Sequence, residues 1–430
     1  MKKVSINIPS PFSVLTWGLM LYLFIFFISP LTPTYTGTVY SWSYLLVSIS
    51  ALYLGLLFGY KKLTFQARKI QITINIKVLK KVFKIILMVA IVGVLLRIID
   101  KYYFRGATLA LDIVENREAL SAQSSGLISI ISAILYPFSF IILFYYLFLK
   151  RIEAISTVWL SLVLPVSLFP IIDGLFFGSR SSALVFVALT VFYFGAFNFF
   201  KLKLNIKTLI IGITFLGIMF SLSGYLFSFR TESLGMDPIL STQISGYAHF
   251  VKLDMEWTNF LYSMQGNFIY YFYIGMINFV QYFIHGVFEL LYMVDVFDTE
   301  HITYGGQNFF IIMKFFSKII HFDLDFINNA QIRAGIYTTF FGPVYYDFAY
   351  IGVFFSFLFS FTIGRIASNI IKKGNITLLP LYFYLLIILF FSLVVSLLVY
   401  AQGMYLIIAS LLSHLIAKRF LNKDTLAFCT

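Results

Sequence analysis

Residues 257–288 read WTNFLYSMQGNFIYYFYIGMINFVQYFIHGVF and contain no Asp, Glu, Lys or Arg. A helix crosses a membrane with about 20 mostly apolar residues, and two crossings take about 40. The stretch is long enough for one and too short for two. Its reading decides on which side everything after it lies.

The rest of the chain makes the question a membrane one. Of 430 residues, 60% are hydrophobic and 11% charged, with a mean hydropathy of +0.91. Soluble domains carry about 25% charged residues. Cys429 is the single cysteine, which excludes an internal disulfide and a cysteine-based metal site. Ten segments have the length and apolarity of a span: 12–29, 39–59, 82–99, 127–149, 155–177, 182–200, 208–229, 345–366, 377–399 and 403–418. The first follows Lys2 and Lys3 like a signal peptide. "SPLTPTYTG" after it offers no cleavage site, so a retained helix is expected.

Connections on the cytoplasmic side carry an excess of Lys and Arg. Lys61, Lys62, Arg68, Lys69, Lys77, Lys80 and Lys81 follow span two; Lys150 and Arg151 follow span four. Lys201, Lys203 and Lys207 follow span six; Lys372 and Lys373 follow span eight. Ten spans with both termini inside satisfy all of them. A single crossing within 257–288 would put Lys372 and Lys373 outside. The expectation is therefore that aromatic-rich helices there lie on, or re-enter, the outer leaflet. Twelve spans is the competing count. The predicted architecture is an all-α polytopic membrane protein in three parts: a bundle over 1–229, a large outer loop over 230–344, and C-terminal membrane helices over 345–430.

On this topology 17 of 21 lysines are inside, the exceptions being Lys101, Lys252, Lys314 and Lys318. Six of ten arginines lie outside: Arg97, Arg105, Arg117, Arg180, Arg230 and Arg333. Lysine is then the topology signal and accounts for most of the +13 net charge, so nucleic acid is not implied. The outer arginines need another reason. A guanidinium grips phosphate through two parallel N–H donors. In "GSRSSALVFVALT", Arg180 stands where a helix begins and its free N–H groups favour an anion. The arginine and the helix end both suit a phosphate or diphosphate. The plainer alternative pairs Arg180 with Asp173 or with lipid headgroups.

Arg230 in "FSFRTESLGMD" is either a second phosphate ligand or an interfacial residue paired with Glu232. Arg333 lies in "NNAQIRAGIYTTFFGPVYYDFAYIG", whose amides, hydroxyls and aromatic faces suit sugars. Asp347 there is a base or a helix cap. Arg97 and Asp100 are spaced to pair on one helix face. Arg105 and Arg117, beside Asp112, Glu115 and Glu118, read as a solvated amphipathic loop. For a general base the residue type of choice near neutral pH is His. The outer candidates are His249, His285, His301 of "FDTEHITYGGQNFF" and His321 of "IIHFDLDF". No metal-ligand spacing occurs, and Asp323 with Asp325 is no signature alone. No nucleotide-binding motif is present. Neither a cofactor nor a metal is expected, so the energy for outer-face chemistry has to arrive in an activated, lipid-linked substrate.

"GSRSSALV" between two spans, and "TTFFGPVYYDFAYIGVFFSFLFSFTIGRI" leading into a late one, resemble the Wzy-type O-antigen and capsular repeat-unit polymerases. That resemblance implies a fold similar to the C-type glycosyltransferases, in the bacterial cytoplasmic membrane. It implies transfer of a growing glycan from undecaprenyl diphosphate to a sugar hydroxyl on the incoming lipid-linked unit. It also implies partners: that lipid-linked oligosaccharide, membrane lipid, a chain-length regulator and a flippase. Arg180 matches best as the diphosphate ligand. The reading of the residues adds Arg333, with Arg230 in support, and either His301 or His321 as base or a hydroxyl activated without one. The rival readings are an O-antigen ligase, a lipid-linked oligosaccharide flippase, and a non-catalytic membrane subunit.

Overall fold

The computed structural model describes residues 2–61, 63–108, 119–120, 126–176, 180–199, 206–333, 335–399 and 402–421. The chain is an all-α polytopic membrane protein. Among the described residues eight helical segments are long and apolar enough to cross a membrane, and two shorter apolar helices accompany them.

Each of the ten expected spans contains a helix. In order these are α1 (Pro11–Ile28), α2 (Val39–Tyr60), α3 (Ile76–Ile98), α4 (Leu127–Leu135) continued by α5 (Phe138–Arg151), α6 (Leu160–Phe176), α7 (Arg180–Ala196) and α8 (Ile206–Ser233). The stretch 257–288 does not divide as expected. A short α9 (Pro238–Ile244) and α10 (Met255–Ser263) lead into α11 (Phe268–Val296), which runs unbroken for 29 residues. At about 1.5 Å per residue this is roughly 43 Å, enough to cross a bilayer. Its uncharged sequence follows from its setting, since 78% of its apolar window is enclosed by protein. Then come α12 (Phe310–Ile320), α13 (Asp325–Asn329), α14 (Phe341–Phe348), α15 (Gly352–Lys373), α16 (Leu379–Phe390) and α17 (Gly403–Leu421).

The pairing of helices keeps the basic connections after spans two and eight together. α2 and α15 run side by side in the same direction: Tyr44 meets Tyr345 and Tyr350, Gly55 faces Phe357 and Ser360, and Gly59 faces Phe361. Lys61 and Lys373 therefore share one end. Lys81 sits over the Phe420 ring, and Thr377 bonds His414, which brings the start of α3 and the ends of α15 and α17 to the same place. A two-stranded clasp closes this basic end, with β1 (Lys2–Ile8) antiparallel to β3 (Arg68–Ile74). The C-terminal half of α11 runs parallel to α1, Tyr22 against Phe283 and Phe26 against Phe288, and delivers Asp295 to the N-terminus of α2 at the opposite end. Alongside it, β2 (Leu31–Pro33) pairs with β4 (Val251–Leu253). The three sequence-defined parts thus interlock, with α11 and α15 packed into the N-terminal bundle.

Glycine sets the closest approaches. Any Cβ on Gly224 or Gly275 would strike the facing backbone of Tyr271 or Phe220, which fixes α8 against α11 in antiparallel contact. At the centre stand α5 and α16; Phe138–Leu149 and Leu379–Leu389 are buried throughout.

The ninth expected span, 377–399, is helical only to Phe390. Beyond it the backbone turns away and pairs with another segment: Phe340 N–H donates to the Ser392 carbonyl (2.8 Å), Ser396 N–H to that of Thr338 (3.0 Å), and the Tyr384 hydroxyl to that of Leu397 (2.5 Å). The apolar run hides the break because composition alone says nothing of where carbonyls find donors. Non-helical backbone at such depth persists where protein groups satisfy it.

Candidate functional site

The broken segment and the loops before α14 enclose a cleft of 420 Å³ at the end away from the basic connections. Gln307 and Asn308 form one wall, Asn328 and Gln331 another, with Tyr337 beside them and Leu398, Val399 and Met404 as the apolar floor. The amides are pre-set. Gln331 Nε2 donates to Gln307 Oε1 (2.8 Å), and Gln307 Nε2 to the Ile327 carbonyl (2.7 Å). Asn308 Oδ1 is buried without a hydrogen-bond partner among the described residues. The wall is therefore neutral, rigid and able to accept one more hydrogen bond.

Asp347 builds this wall from behind. It is fully enclosed and accepts from Thr303 Oγ1 (2.5 Å), Gln307 N–H (2.8 Å), Asn308 N–H (2.9 Å) and Asn308 Nδ2 (2.6 Å). Its sequence left a base or a helix cap open; the geometry is that of a cap on the 303–308 loop and not of a helix cap.

Arg333 is engaged too. Its Nη1 meets Glu289 Oε2 at 2.6 Å, its Nη2 donates to the Gly246 carbonyl at 2.9 Å, and its fork lies over the Phe250 ring. It ties the 246–253 loop to α11 behind Tyr337. Next to it His285 is buried, with its ring nitrogens against the Tyr337 and Gln281 carbonyls. On the loop itself, burial first and then the Arg333 and Lys252 charges hold the His249 imidazole below its ordinary pKa.

The remaining sequence candidates do not meet at the cleft. His301 is exposed and faces Asp298 at 3.6 Å. His321 caps α12 in the left-handed conformation (φ 57°), exposed to solvent. Neither ring lines the cleft. Asp323 accepts from the Asp325 N–H (2.9 Å) in a local turn, and no metal-capable cluster occurs among the described residues. Arg180 is the first residue of α7, as its flanking serines imply, and Arg230 lies near the end of α8. The side chains of Arg180 and Arg230 are outside the described residues, as is Arg117.

The Arg97–Asp100 pairing is replaced by another. Asp173 of α6 takes Lys101 Nζ at 2.5 Å and Arg97 Nε at 3.9 Å, while Asp100 faces Arg105 at 3.4 Å. The helix loosens into a π-turn over Ile99–Phe104, which rotates Asp100 away from Arg97. Asp173, the plainer partner offered for Arg180, bonds Lys101, and its pairing with Arg180 lies outside the described residues.

Sequence reasoning passed over Lys101, Gln307 and Asn308, and offered Asp173 only as a partner for Arg180. Lys101 had a signal as one of four lysines off the basic side. Gln307 and Asn308 followed His301 in a motif read for its histidine. Asn328, Gln331 and Tyr337 belong to the run whose neutral polarity was singled out. Comparison with protein-family models, curated proteins and solved structures gave no match.

Proposed function

We propose that the protein is a glycan repeat-unit polymerase: a glycosyltransferase that joins polyprenyl-diphosphate-linked oligosaccharides on the outer face of the bacterial cytoplasmic membrane, its basic end inward. The observation that carries this reading is the amide-walled cleft opposite the basic end. Neutral donors and acceptors match sugar hydroxyls without the desolvation cost of charge. Tyr337 offers an aromatic face, and the apolar floor suits the less polar side of a sugar ring. The resemblance carried by "GSRSSALV" adds Arg180 as a diphosphate ligand. The hydroxyl of the incoming unit would attack the anomeric carbon of the growing chain as the bond to diphosphate breaks.

A transporter reading is weakened by the middle of the bundle, which α5 and α16 fill with buried side chains. Purified protein in detergent, given the cognate lipid-linked unit, is expected to make oligomers in steps of one repeat, without ATP, sugar nucleotide or ion gradient. Mass spectrometry of the products checks this. Translocation across liposomes with no covalent change would sink the polymerase in favour of a flippase.

Two variant sets refine the site. Arg180→Ala and Arg180→Lys should both lose long product at normal membrane levels, because an ammonium does not reproduce the guanidinium fork. His301→Ala and His321→Ala should leave product length and amount unchanged, since neither ring lines the cleft. Loss of product in either would return a histidine base to the scheme.

A further inference from the structure

α12 turns its apolar face away from the fold. At about 100° per residue, Ile312, Phe315, Phe316 and Ile319 share one side of this helix, with Lys314 and Ser317 on the other. A helix packed on a core points such an apolar stripe inward. Here it is bare: Phe315 is 54% exposed and Ile319 58%, with Ile312 and Phe316 exposed beside them. The first turn is engaged, since Phe310 and Ile311 belong to the cleft wall and Phe309, just before it, packs on Phe355. Among the described residues no helix or strand packs along the rest. A contiguous bare apolar face of this kind marks an interaction surface.

Two observations say what covers it. The first is where the helix starts. Phe355 lies in the first turn of α15, at the end away from Lys373. Ile351, Phe354 and Leu358 around it are exposed apolar side chains of a membrane span, so they face lipid. α12 therefore begins beside an existing lipid-facing band. The second is charge. Lys314 is exposed, and it is one of four lysines that the topology places off the basic side. Headgroup phosphates supply its counter-charge. Phe and Ile on one side with Lys on the other is the pattern of helices that lie in the plane of the interface.

We infer that α12 is seated in the lipid leaflet at the end opposite the basic connections. Ile312, Phe315, Phe316 and Ile319 lie among acyl chains, and Lys314 lies at the level of the headgroup phosphates. Because Phe310 and Ile311 line the cleft, its rim is then held at the membrane surface, where a ligand inside can keep an anchor in the bilayer. The inference needs only the membrane fold, so it stands or falls apart from the reaction proposed above.

The test uses the full chain with Cys429, its single cysteine, replaced by serine. Phe316→Cys, Ile319→Cys, Lys314→Cys and Glu300→Cys each carry an environment-sensitive fluorophore, in vesicles of phosphatidylethanolamine and phosphatidylglycerol. Glu300, exposed in the loop before the cleft wall, is the water-facing reference. Labels at 316 and 319 are expected to emit at shorter wavelength than the label at 300, to be quenched by lipids with a nitroxide on the acyl chain, and to resist iodide. The label at 314 should respond to a headgroup nitroxide instead. All four positions are exposed, so the fold tolerates the change, and 316 and 319 check each other. Iodide reaching 316 and 319 as readily as 300 would overturn the inference, because the face then lies in water. Protection from iodide without quenching by either nitroxide would overturn it too, in favour of protein over the face, a second copy included. Equal acyl-chain quenching at 314 and 316 would overturn the assigned orientation.

Discussion

Asp347→Ala is expected to unfold the cleft wall and abolish activity together. The substitution strips the acceptor from four buried donors on Thr303, Gln307 and Asn308. A buried donor left unpaired costs about 1–3 kcal/mol, so even with partial relaxation the loss is on the order of 4 kcal/mol. Purified protein should show a large drop in midpoint temperature. Hydrogen exchange should rise first in residues 303–308 and spread to Gln331 through its bond to Gln307. Asp347→Asn should fall between, because an amide keeps one acceptor and turns its NH₂ toward donors. Asp347→Ala with native stability and lost turnover would mean that the carboxylate acts as the base and not as the cap.

Gly59→Leu is expected to do comparable damage far from the cleft. A Cβ at Gly59 would strike the Phe361 carbonyl, and the obstacle is backbone, which cannot swing aside. Overpacking costs about 1–3 kcal/mol where side chains absorb it, and more where helices must separate. The variant should leave the membrane fraction poorly, aggregate on solubilisation, and lose the Phe58–Phe357 contact. Gly195 provides the matched control: nothing lies within 4 Å of its would-be Cβ, so Gly195→Leu should be tolerated. Equal yield of Gly59→Leu and Gly195→Leu would remove the tight α2–α15 contact from this account.

The fold was legible where composition carries it and illegible where tertiary partners do. Ten apolar runs became helices because span length and hydropathy are local properties. Residues 268–296 misled for the opposite reason: their helix is wrapped by α1, α2 and α8, and a wrapped helix has no lipid face or charged face to read. Phe390 marks the same limit, since the helix stops there for bonds to Thr338 and Phe340, some fifty residues earlier in the chain. At the site, the amides and aromatic groups of the run from Asn328 to Tyr337 showed their character directly. Arg97 and Asp100 did not, because the pairing rule assumes α-helical spacing and Ile99–Phe104 is a π-turn. Nor could Lys101 and Asp173, seventy-two positions apart, announce their contact.

The parallel α2–α15 pair has a consequence for biosynthesis. Adjacent antiparallel helices can associate as soon as the second leaves the ribosome. A parallel partner has to wait for everything between, here from Lys61 to Ile351. During that interval Gly55 and Gly59 present a bare groove to lipid or to the insertion machinery, with the β1–β3 clasp already able to hold α1 and α2 as a hairpin. Completion of the bundle is therefore a late event in translation. Chains released before Gly352 would carry an unfilled groove, the kind of defect that membrane quality control removes.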